Sequence, residues 1–75
     1  MKSTASAQSL MGDLEGEAPR LLTELDPAGR VDYLCSKVEQ IYWRTDDREV
    51  ARLDARLHAL CLVLKVRKVR IDELA

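Results

Sequence analysis

Phenylalanine is absent from this chain, and its aromatic residues stop at Tyr33, Tyr42 and Trp43. Whatever core it builds must be aliphatic. Histidine occurs once, at His58, and cysteine twice, at Cys35 and Cys61. His58 and Cys61 stand three apart, a spacing that puts two ligands on one helical face, with Asp54 as a distant third. A structural zinc site normally takes four, so no metal is expected. Cys61 also makes a poor nucleophile, because Leu60, Leu62 and Leu64 surround it and apolar neighbours keep a thiol inert. There is no Gly-rich phosphate loop, no Ser/His/Asp set and no dinucleotide fingerprint. These absences argue against an enzyme and against a bound cofactor.

Long apolar runs are missing too. No stretch approaches the roughly 20 apolar residues that cross a bilayer. The first residues carry one positive charge, Lys2, and no apolar segment of the kind a secretory signal needs. The chain reads as soluble and cytoplasmic. With 75 residues it makes one small domain, of a size that often needs help from an oligomer. Charge is nearly balanced but uneven: residues 1–29 hold two basic and five acidic side chains, and residues 65–75 hold four and two.

A disulfide between the two cysteines is disfavoured by register. In the helical pairing described next, Cys35 lies opposite position 56, which leaves Cys61 displaced by five residues, about 7 Å along a helix axis. A disulfide needs its Cα atoms within about 7 Å in all. Both thiols read as small buried hydrophobes.

What the chain does have is a mirrored pair of apolar ladders. Val50, Leu53, Leu57, Leu60 and Leu64 recur at steps of three and four, and Ile41, Val38, Leu34 and Val31 do the same in the opposite direction. Paired outward, Ile41 with Val50 through Val31 with Leu60, each pair of numbers sums to 91. The centre falls between Thr45 and Asp46, inside a polar run. Steps of three and four keep residues on one helical face. The pattern predicts an all-α fold built on an antiparallel helical hairpin, about 27–44 and 46–72. Asp26-Pro27 starts the first of these helices as N-cap and first residue, and Asp46 with Glu49 opens the second as a capping box. A short helix over about 19–25 begins near Pro19. Residues 1–12, rich in Ser, Thr and Ala, read as a flexible tail, and 13–75 as one helical domain. Gly12 and Gly16 weaken any helix between them. The β-branched run Leu62–Arg67 also suits a strand, but nothing else in the chain could pair with it.

A second stripe, Ala55, Ala59, Leu62, Val66 and Val69, runs beside the first ladder. Residues two apart on a helix differ by about 200°, so this stripe faces the other way. Its burial calls for a symmetric homodimer or another protein. Trp43, just before the turn, is a further candidate anchor for a partner or a cap on the hairpin end. Arg44, Arg48, Arg52 and Arg56 recur at spacing four and form a candidate charged surface, joined by Lys65, Arg67, Lys68 and Arg70. Like charges at that spacing repel and suggest an acidic counterpart.

These features suit a small non-enzymatic interaction module, an adaptor, chaperone subunit or inhibitor of phage, plasmid or secretion-system type, that offers a helical face to a protein. The alternative is a dimeric nucleic-acid-binding regulator using its Arg and Lys rows. The layout is similar to plasmid copy-number RNA-binding dimers and to the small chaperone subunits of type III secretion. No motif carries that likeness, and architecture alone transfers no function.

Overall fold

The computed structural model describes residues 6–69 and 71. Within them the chain forms four helices and no strand: α1 (Ala7–Gly16), α2 (Ala18–Glu24), α3 (Pro27–Trp43) and α4 (Val50–Leu64). The fold is all-α, as the ladders predict. No helix among the described residues is long and apolar enough to cross a membrane.

α3 begins where Asp26-Pro27 places it. The Asp26 side chain accepts from the Gly29 amide at 2.8 Å, and Pro27 spends no donor that the first turn would have used. The capping box expected of Asp46 and Glu49 does not form. Asp46 accepts from the amides of Arg48 at 3.0 Å and Glu49 at 3.1 Å and so closes a turn over residues 47–49. α4 proper starts only at Val50, with Glu49 as an N-cap that makes no side-chain capping bond.

Two larger expectations are also corrected. The first is the tail. Residues 7–12 are helical, and α1 carries them to Gly16, with Ser6 as N-cap accepting from the Ser9 amide at 3.0 Å. Ala7, Met11 and Leu14 are buried, and Ala18 and Leu21 continue the same series into α2. Their spacing of four, three, four and three is that of one helix face, interrupted only where Pro19 forbids an unbroken ladder. Residues 1–5 of the expected tail lie outside the described residues.

The second is the end of the long helix. α4 stops at Leu64 and does not run to 72, because Lys65 takes the left-handed conformation, φ 60° and ψ 40°. The Val66 amide then bonds the Cys61 carbonyl at 3.0 Å and the Lys65 amide bonds that of Leu62 at 3.3 Å, the Schellman closure of a helix end. Arg30 adds to it. Its guanidinium donates to the carbonyls of Leu64 (3.2 Å), Leu21 (3.3 Å) and Leu22 (3.0 Å), and so serves the C-terminal ends of α4 and α2 together. Past the bend, Ile71 returns to the core and is fully buried. Burying a side chain of that size is worth about 1.5–3 kcal/mol, more than a left-handed lysine costs.

α1 lies across both α3 and α4 and touches each more than these two touch one another, while α2 packs on α4. The ladder residues Leu34, Val38, Ile41, Leu53, Leu57, Leu60 and Leu64 are all buried, so the mirrored pattern correctly marks the inner faces. They close around α1 as well as around each other. At the ladder's ends Val31 is half-buried and Val50 is 41% exposed.

A polar cluster pins the α1–α2 junction to α3. Tyr33 donates its O–H to the Glu17 carboxylate, and Glu17 also pairs with Arg20 at 2.7 Å. The Arg20 and Lys37 cations stand 5.9 and 5.4 Å from the Tyr33 ring centre. The tyrosine's hydrogen bond is the chief reason the Glu17 carboxyl sits below its usual range, and the same bond raises the Tyr33 hydroxyl.

Candidate interaction surface

Each residue of a helix is turned about 100° from the last, so Ala55, Ala59 and Leu62 lie almost opposite Leu53, Leu57, Leu60 and Leu64. The inner set is buried against α1, α2 and α3. Ala55 and Ala59 are exposed, and Leu62 is 68% exposed. The sequence missed two members of this outer face. Val63, 53% exposed, sits one turn after Ala59, and Ala51, also exposed, precedes Ala55 by one turn.

Beyond Leu64 the second stripe is no longer a straight continuation. The turn at Lys65 takes Val66 against the edge of the core, where it is half-buried, and leaves Val69 53% exposed. Proximity survives the bend. Leu62, Val66 and Val69 line one shallow depression of about 370 Å³ together with His58, Cys61 and the Arg67–Lys68 pair. A second depression of about 380 Å³ lies beside it, between α4 and the α1–α2 junction, lined by Ala59, Leu60, Val63, Ala18, Pro19 and Glu15. Leu62 and Val63 thus stand on a ridge with a hollow on either side. Trp43 is not part of this surface. It is 80% exposed at the end of α3 and borders a separate hollow with Val38, Glu39 and Tyr42.

The arginine row dissolves, since spacing four makes a row only inside one helix. Arg44 follows the last residue of α3 and donates to the Gln40 carbonyl at 3.1 Å. Arg48 lies in the turn, its side chain 93% exposed and 4.0 Å from Asp46. Only Arg52 and Arg56 belong to α4. Arg52 is exposed on the outer face, while Arg56 grips Glu15 of α1 with both Nε, at 3.1 Å, and Nη2. That pairing raises the Arg56 guanidinium further. The second basic cluster is also divided. Lys65 and Arg67 are exposed, whereas the Lys68 ammonium is 2.7 Å from Asp54 and its side chain only 17% exposed. Hydrogen bonding to Lys68 holds the Asp54 carboxyl below its ordinary value, with a smaller contribution from the Tyr42 hydroxyl at 3.2 Å. Arg70 lies outside the described residues.

His58 is exposed and Cys61 buried, although both border the depression beside Leu62. Cys35 is half-buried, and no disulfide joins it to Cys61. The chemistry this surface offers is therefore that of contact: aliphatic side chains in the middle and cations at the edge. No protein-family model matches the chain, and no curated protein or solved structure matches it either.

Proposed function

We propose that this chain is a non-enzymatic protein-interaction module that works by presenting the outer face of α4 to another protein, as an adaptor, chaperone subunit or inhibitor does. The observation that carries this reading is the grouping of Leu62, Val63 and Val69, at 68%, 53% and 53% exposure, around the C-terminal end of a helix whose inner face is sealed. A Leu or Val side chain gains about 1.5–3 kcal/mol on full burial. Three neighbours left in water form a patch of the kind that marks contact sites. At high concentration, with no other protein present, the same face pairs weakly with a second copy.

Light scattering on a sizing column, with absorbance read at 260 and 280 nm, tests the reading. The wild-type chain associates as its concentration rises, free of nucleic acid, and Leu62→Asp abolishes the association. Association that persists unchanged in Leu62→Asp overturns the proposal. An excess of 260 nm absorbance that high salt strips away replaces it with the nucleic-acid-binding regulator, whose phosphate contacts are salt-sensitive.

A further inference from the structure

We infer that the preferred occupant of the α4 outer face is an amphipathic helix of another protein whose apolar stripe is flanked by carboxylates. The inference rests on the reading of that face as a docking surface and names what docks.

Its basis is the charge around the patch. Residues 50–69 hold five basic side chains, Arg52, Arg56, Lys65, Arg67 and Lys68, against one acidic, Asp54. Residues 6–49 carry the reverse excess, ten acidic against five basic. The chain is thus near neutral as a whole, yet the apolar outer face of α4 lies on its basic side. Among the described residues, the carboxylates near that face are already paired: Asp54 holds Lys68 and Glu15 holds Arg56. Arg52, Lys65 and Arg67 are exposed and make no ion pair among the described residues. Arg52 lies seven residues before Ala59, within about 20° of the same line on the helix. Arg67 borders the hollow beside Leu62. Cations therefore stand at both ends of the patch without a carboxylate partner among the described residues.

This arrangement selects among occupants. A second copy meeting the face about a two-fold axis brings the same basic rim against itself, which repulsion disfavours. A nucleic acid would satisfy the cations, but the surface between them is Ala, Leu and Val, and the aromatic rings that could stack on bases, Trp43 and Tyr42, border a different hollow. An acidic amphipathic helix satisfies both parts. Its apolar residues fill the hollows on either side of the Leu62–Val63 ridge, its carboxylates meet Arg52 and Arg67, and the acidic remainder of the molecule steers it away from every other approach.

The test uses the full chain and two fluorescently labelled synthetic helical peptides that share one leucine stripe at i, i+3, i+4 and i+7, one flanked by Glu and one by Lys. Anisotropy titrations at low salt give the Glu-flanked peptide at least about tenfold tighter binding, and the advantage shrinks on moving to about 0.5 M salt as the rim charges are screened. Arg52→Glu with Arg67→Glu reverses the preference, and Leu62→Asp removes binding of both peptides. Equal binding of the two peptides, or a preference that the double charge reversal leaves in place, overturns the acidic occupant while the docking face stands. Binding of neither peptide overturns it too; if Leu62→Asp then also leaves self-association untouched, the reading of the face itself falls. Displacement of the Glu-flanked peptide by a duplex oligonucleotide assigns the face to nucleic acid and overturns the inference.

Discussion

Both sides of α4 carry a run of apolar residues. Leu53, Leu57, Leu60 and Leu64 line one, and Ala55, Ala59, Leu62 and Val63 the other. Their fates differ completely. Leu57 is 1% exposed and Leu62 is 68% exposed, five positions apart on one helix. The difference lies outside α4: α1 and α2 are packed on this helix, yet Ala55, Ala59, Leu62 and Val63 stay exposed. Helical periodicity announces that two apolar faces exist. Which one a chain covers for itself is decided by segments elsewhere in it.

Truncation at the two faces is the strongest way to break this contrast. Leu57→Ala lowers stability by about 2–5 kcal/mol in urea denaturation, as large-to-small changes in a sealed core do. Met11→Ala falls in the same range if α1 belongs to that core. Leu62→Ala stays within about 0.5 kcal/mol, the usual span for a surface site. A large loss at Leu62 in the isolated protein means that the outer face is already covered by another copy, and the contrast disappears.

A smaller effect sharpens it at the end of the inner face. Arg30→Ala removes its bonds to the Leu21, Leu22 and Leu64 carbonyls, of which Leu21 keeps the Leu25 amide, and costs about 1–3 kcal/mol, discounted because the site is only half-buried. Arg30→Lys restores little of it, since one ammonium cannot fork to two helix ends. Equal stability of the Lys variant and the wild type would show that charge alone acts here.

The smallest effect concerns where the outer face stops. Lys65→Gly relieves the left-handed backbone strain and stabilises the chain by about 1 kcal/mol, read as a rise in the urea midpoint. A drop in stability on this change would mean that α4 runs straight through position 65 in solution and that its outer stripe is longer than described.

The sequence made α3 legible because its signals are local. Asp26-Pro27 sits at its start, and Leu34, Val38 and Ile41 keep strict time along it. The inner ladder of α4 was legible on the same grounds. α1 was obscured by its own composition: Ala7 is a weak hydrophobic signal, and Gly12 and Gly16 argue against a helix one residue at a time. The clue was the series Ala7, Met11, Leu14, Ala18, Leu21, which runs through the Pro19 break and is visible only if the break is ignored. The end of α4 gave little local warning, since Lys65 is neither Gly nor Asn and the outer stripe continues past it through Val66 and Val69. What settles that end is Arg30, 34 positions away, together with the return of Ile71 to the core. Of the expected surface, the part on α4 was readable from spacing alone. The four-arginine row was not, because spacing four crosses a turn that only the structure places.

One exposed side chain determines how this molecule can be watched. Trp43 is the sole tryptophan, and it stands 80% exposed at the turn end of α3 while the chain is folded. Indole emission follows contact with water, and that contact changes little when the helices melt, so intrinsic fluorescence is blind to unfolding and ellipticity must serve in its place. The same blindness makes the residue a clean reporter. A blue shift from this protein signals something arriving beside Val38, Glu39 and Tyr42, and an unmoved spectrum while a peptide binds places that peptide elsewhere.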